Sequence, residues 1–192
     1  MGILRSILLA SALLATASHD VAAAPVAYIL DVERSMVGFE VDFGSDRIKG
    51  SIPVSEAQVV IDFDRVANTS VSVTLDTTRA VASFPFATQA MRGPSVLASA
   101  EYPTLSFRSR SVRAEGAGAR VTGDITIRGQ TRPIALDAQI YRQRGQAEGD
   151  RSRMSILLRG TVDRSDFGAT GWSDMVGNEV ALDILVRVSR AP

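Results

Sequence analysis

The chain has no cysteine and one histidine, His19, which lies near its start. These absences remove the residues most often used as nucleophiles, proton shuttles and transition-metal ligands. A histidine-activated serine is excluded from the body of the chain, and a serine–lysine pair would need Lys49, the sole lysine, which no nearby motif supports. Disulfide stapling is excluded outright. Acidic and basic residues balance, 21 against 21, so no electrostatic case exists for nucleic acid or for an anionic membrane surface. After the first residues no apolar run is long enough for a transmembrane helix. Nothing in this inventory asks for an enzyme, a metal or a cofactor.

The N-terminus reads as a secretory signal. Arg5 supplies a positive region, residues 7–17 an apolar stretch too short to span a bilayer, and Ala22, Ala23 and Ala24 the small residues of a cleavage site. Val21 and Ala23 fit the two recognition positions. We therefore expect residues 1–23 to be removed, His19 with them, and residues 24–192 to form one exported domain, periplasmic in location. That length supports a core without disulfides.

What fills the remainder is strand-type alternation. Val37, Phe39, Val41 and Phe43 share one face, with Gly38, Glu40 and Asp42 on the other. Gly44-Ser45-Asp46 is a turn, and Arg47 to Ile52 returns. The same period runs through Val59, Ile61 and Phe63, and through Val71, Val73 and Leu75. It continues through Leu105 and Phe107, through Val121, Gly123, Ile125 and Ile127, and through Ile134, Leu136, Ala138 and Ile140. Met154, Ile156 and Leu158 follow, and the series ends on Val180, Leu182, Ile184, Val186 and Val188. About ten closely spaced strands joined by short turns predict an antiparallel sandwich or barrel.

The middle breaks the period. Residues 78–99 read as a long crossover with helical turns, Thr88 capping a short helix and Pro94 opening another. Long connections in compact domains are often functional. A second such segment, Gly168 to Asn178, carries Trp172, the one tryptophan.

Three pieces of the second half stand in order: Tyr102-Pro103-Thr104-Leu105-Ser106-Phe107, then Gly123 to Ile134 (GDITIRGQTRPI), then Arg164-Ser165-Asp166-Phe167-Gly168. With Tyr28-Ile29-Leu30-Asp31 and Ser35 to Phe39, they resemble the YceI-like family of exported lipid-binding proteins. The resemblance covers nearly the whole chain after the signal. It implies an all-β fold, a lipocalin-like eight-stranded antiparallel barrel with a short helical crossover over one end. It also implies a periplasmic carrier of a polyisoprenoid or fatty-acyl-type chain. Many members carry His where Arg34 stands, and some another near Asp42; this chain has neither.

The candidate ligand-binding set is Phe39, Phe43 and Phe107 from strands, Phe84, Phe86, Met91 and Leu97 from the crossover, and Phe167, Trp172 and Met175 from the late loop. Phe84, Phe86, Trp172 and Met175 are expected at an entrance, because apolar residues in long connections tend to cover an opening. Asp62-x-Asp64 reads as a solvated strand edge, since it lacks the glycine-centred loop and distal glutamate of a calcium site. Arg164 and Asp166 read as residues tying down a turn. Two other readings stay open. One is an integral outer-membrane barrel, apolar on its outside. The other is a structural or stress protein whose barrel is filled by its own side chains. The oligomeric state is open, a homodimer included.

Overall fold

A computed structural model describes residues 24–192; the expected signal segment and His19 fall outside the described residues. In chain order the strands are β1 (Val26–Leu30), β2 (Met36–Phe43), β3 (Asp46–Ile52), β4 (Val54–Ile61), β5 (Ser70–Asp76), β6 (Val81–Ala82), β7 (Thr104–Glu115), β8 (Gly118–Ile127), β9 (Gln130–Arg142), β10 (Arg153–Asp163) and β11 (Val176–Arg190). One α-helix, α1 (Pro85–Arg92), follows β6.

All strand pairings are antiparallel, and β1 closes the sheet on β11. β1 and β2 both lie along β11, at successive registers. β3 pairs with β2 and β6, while β4 pairs with β1 and β5. Thus β1–β2, β3–β4 and β5–β6 act as three interrupted staves, and β7 to β11 supply five more. The result is a closed, up-and-down, eight-stranded barrel. It has more strand segments than the alternation predicts because three staves break.

Each break has a local cause. After β1, the Asp31 carboxylate accepts the Arg34 N–H at 3.1 Å and turns the chain. Between β3 and β4 sits Pro53, which cannot donate to a ladder. After β5, Asp76 accepts from Thr78 N at 2.9 Å and caps a 3-10 turn at Thr77–Arg79. Above the last break, β6 pairs with β3, whereas below it β5 pairs with β7. The chain from 83 to 103 fills the gap this leaves.

The crossover holds one helix, not two. Pro85 opens α1 at its first turn. Thr88 lies inside the helix; its hydroxyl accepts from Ala82 N at 2.9 Å and does not cap. Pro94 starts only turns, because Arg128 Nη1 takes the Pro94 and Val96 carbonyls at 2.6 and 2.8 Å and draws that segment onto the β8–β9 turn. That turn has positive φ at both Arg128 and Gly129. This is the type I′ geometry that matches strand twist.

The alternating apolar positions point inward on every strand. Val121, Ile125, Ile127, Ile134, Leu136 and Ala138 are buried in one main cluster. A second cluster of Tyr28, Val59, Ile61, Met154 and Val188 closes the end that carries the β4–β5, β7–β8 and β9–β10 connections. The outer face is polar and crossed by ion pairs, Arg110–Asp124 at 2.6 Å, Arg120–Asp137 at 2.5 Å and Arg159–Asp183 at 3.4 Å. Such exposed pairs add little stability, but they make the exterior the reverse of a lipid-facing barrel wall.

Candidate functional site

The inward faces enclose a cavity of about 480 Å³. Its wall is almost wholly apolar, and among the residues lining it only Asp62 and Arg164 are charged. A barrel of this strand number is at the size limit where side chains either fill the interior or leave room for one ligand. Here room is left, and two glycines help explain why. A Cβ at Gly50 would overlap the Phe39 ring, and one at Gly123 the Phe107 ring. Each phenylalanine therefore lies flat across a neighbouring strand instead of standing into the axis. A lone glycine in a strand often marks such close approach, a signal that the alternation of Gly123 with Val121 and Ile125 already carries.

All ten residues expected to meet a ligand line this cavity. Phe39 and Phe43 come from β2, Phe107 from β7, Phe86 and Met91 from α1, and Phe84 from the residue before it. Leu97 follows α1, and Phe167, Trp172 and Met175 come from the β10–β11 connection. They divide by exposure. Phe167 is only 2% exposed and is a core residue; Phe86 at 60%, Trp172 at 45% and Met175 at 48% ring the open end, with Phe84 beside them. The Phe86 and Trp172 rings meet edge-on at 5.5 Å, so α1 and the late loop touch across the mouth. Phe84 reaches Phe43 of the wall at 6.2 Å. Trp172 holds a positive φ of 64°. A bulky residue rarely takes that conformation, and here the Trp172 carbonyl accepts the Met175 and Val176 N–H groups at 3.0 and 2.8 Å.

Arg164 organises the late loop. Its Nε donates to Gly177 O at 2.8 Å, Nη1 to Ala169 O and Gly171 O at 2.6 and 2.7 Å, and Nη2 to Val176 O at 2.9 Å. The expectation that it ties down a turn is met. Asp166 has no part in this. It is exposed, and Asn178, not Asp166, secures the Ser165 N–H, at 3.1 Å.

Asp62 corrects another expectation. It is 3% exposed, not a solvated edge. Its carboxylate accepts from Arg65 N at 2.7 Å, Asp64 N at 3.0 Å and Asn68 Nδ2 at 2.8 Å, organising the turn beneath the floor. The Arg65 N–H and the Asn68 amide hold this carboxyl below the usual aspartate range. Asp64 is the exposed partner. The burial of Asp62 escapes the sequence pattern because D-x-D on a strand looks the same whether the next residue continues the strand or turns.

An apolar, one-ended barrel cavity with a helix and loop over its rim defines the class of calyx-type binding barrels. A match to the YceI-like domain spans residues 28–188, and the chain belongs to that family. It is 26% identical over 164 residues to Protein YceI of Escherichia coli O157:H7, covering 84% of each chain. It is 27% identical over 169 residues to a UPF0312 protein of Vibrio cholerae, covering 86% of this chain and 89% of that one. Among solved structures, BcnA of Burkholderia cenocepacia superposes with a TM-score of 0.73 at 20% identity, covering 83% of this chain and 99% of its own. The Campylobacter jejuni YCEI protein gives 0.58 at 22%, covering 73% and 84%. At these identities the structures speak for the fold.

Proposed function

We propose that the protein is an exported periplasmic carrier or scavenger that holds the long chain of a polyisoprenoid or fatty-acyl-type amphiphile inside the barrel, without acting on it chemically. The observation that carries this reading is the continuous apolar wall around a cavity open at one end. Such a wall offers no hydrogen bonds along its length, and a hydrocarbon chain needs none.

Magnitudes favour a long chain. At about 0.8 kcal/mol per buried methylene, roughly six carbons yield about 5 kcal/mol. That only matches the low end of the association cost, about 4–15 kcal/mol. About fourteen carbons yield roughly 11 kcal/mol, about 7 kcal/mol above that low end. Entry runs between α1 and the β10–β11 loop, past Phe84, Phe86, Trp172 and Met175, with Phe39 and Phe107 deeper. Export rests on the Arg5, apolar and alanine pattern of residues 1–23.

Native mass spectrometry of the protein from a periplasmic extract, followed by lipid extraction, tests both parts. The expected result is a mature chain lacking about the first 23 residues and carrying one long-chain lipid. A delipidated protein that retains no polyprenyl or acyl chain would sink the carrier reading, and a chain that keeps Met1 would sink the export reading.

A further inference from the structure

Arg164 carries more than the loop needs. Its guanidinium has five N–H donors, and four are spent on backbone carbonyls. One on Nη2 stays uncommitted. The residue is 8% exposed, and among the described residues no carboxylate forms an ion pair with it. Carbonyl dipoles satisfy its hydrogen bonds but leave its full positive charge in place. Buried cations are ordinarily paired. Burial also pulls this guanidinium below its ordinary value, with no neighbouring charge to oppose the shift.

Position gives that charge a use. Arg164 follows β10 at the mouth end, while Asp62 follows β4 at the floor end, and both line the cavity. The apolar channel thus has a cation near its opening and an anion at its base. Acids around the rim, such as Asp42, Asp46 and Asp174, are exposed, so water and salt screen them.

We infer that the amphiphile held by this barrel has an anionic head group, carboxylate or phosphate, seated at the mouth beside Arg164 with its tail toward Asp62. The inference rests on the carrier reading and narrows it. A neutral head would leave the guanidinium unpaired. A cationic head would meet it with like charge, and an anionic head inserted first would meet Asp62.

The test compares hexadecyl probes on the delipidated protein, each below its micellar concentration, read by Trp172 emission. Palmitate and hexadecyl phosphate should bind about tenfold or more tightly than hexadecanol, the range of a hydrogen bond to a charged group. Hexadecyltrimethylammonium should bind weakest, and the order should persist in high salt, since a buried charge is little screened. Palmitate ahead of the phosphate identifies a fatty acid; the reverse identifies an alkyl or prenyl phosphate. Hexadecanol binding as tightly as palmitate overturns the inference while leaving the carrier reading intact. If no probe binds, the carrier reading falls and takes this one with it. Arg164→Lys should keep the anion preference and Arg164→Gln should lose it. If Arg164→Gln unfolds, the wild-type probe series still decides. A folded Arg164→Gln that retains the preference also overturns the inference.

Discussion

The two ends of the barrel use the same kind of residue for opposite purposes. At the floor, Tyr28, Val59, Ile61, Met154 and Val188 are all 6% exposed or less. The β9–β10 loop is tied across them: Tyr28 OH donates to Arg151 O at 3.0 Å, Arg190 N donates to Ser152 O at 2.7 Å, and the Arg151 guanidinium sits 4.0 Å above the Phe63 ring. At the mouth, Phe86, Trp172 and Met175 remain about half exposed. Large apolar side chains buried against each other stabilise the fold; the same side chains left in water at a rim are free to cover a ligand. Chain order produces this difference. The floor is built from strand ends and the shorter β4–β5, β7–β8 and β9–β10 connections, whereas the mouth is built from the two longest connections among the described residues, 83–103 and 164–175.

Charging one residue at each end should break the symmetry most sharply. Met154→Asp places an unpaired carboxylate where exposure is 2%, and we expect a loss of about 4 kcal/mol or more, or failure to fold. Met175→Asp, at 48% exposure, should stay within about 0.5 kcal/mol of wild type and weaken chain binding instead. Urea unfolding of both variants checks this. Equal stability losses would mean that the mouth is core like the floor.

Between the ends, the wall can be thickened without adding charge. Gly123→Val should press Phe107 toward the axis and meet the Arg108 carbonyl, costing about 1–3 kcal/mol as overpacking does. It should also shorten the longest chain that the barrel accepts. A titration with acyl chains of increasing length reads that limit. An unchanged limit would show that Phe107 yields elsewhere and does not set the width.

A pH comparison sharpens the view of the floor. Asp62 has its folded value depressed, so its stabilising contribution is fully present above the ordinary aspartate value of about 3.9 and is lost as pH falls through the lower folded value. Asp62→Asn should therefore lower the urea midpoint at pH 7, with the gap to wild type closing in strong acid. A gap that persists undiminished at low pH would assign the loss to packing and not to the ionised carboxylate.

The barrel is legible in the sequence wherever one face is buried, because the period-two pattern has a single reading there. Every alternating set from Val37–Phe43 to Val180–Val188 faces inward as read. The mouth residues are legible for a different reason: phenylalanine, tryptophan and methionine in long connections have no strand to pack into. What is not legible depends on hydrogen bonds made outside the strand ladders, some within a single turn and some between segments distant in sequence. The 3-10 turn at Thr77–Arg79, the single helix of the crossover and the burial of Asp62 each follow from such bonds. Thr77 N reaches Pro103 O at 2.9 Å, Arg128 reaches Pro94 and Val96, and Asn68 reaches Asp62. Propensity along the chain does not encode these partners.

A small expected effect on stability is also the one most specific to the mouth. Phe86 is 60% exposed, and its defined aromatic partner is Trp172, edge-on at 5.5 Å. An aromatic pair of this geometry contributes about 0.5–1.5 kcal/mol, and its exposure puts this one at the low end. Phe86→Ala should therefore lower the melting temperature by only about 1–2 °C, the shift of roughly 0.5 kcal/mol in a domain of this size. Two other readouts should move more. Trp172 emission in the free protein should shift to the red as its ring loses apolar cover. Chain dissociation should quicken several-fold, because the ring that closes α1 onto the late loop is gone, and binding changes of this kind fall mainly on the off-rate. Met91→Ala, one turn deeper on the same helix and half-buried, is the control: it should cost more stability than Phe86→Ala. If Phe86→Ala leaves both Trp172 emission and the dissociation rate unchanged, the contact across the mouth is incidental, and entrance and exit must run by another part of the rim.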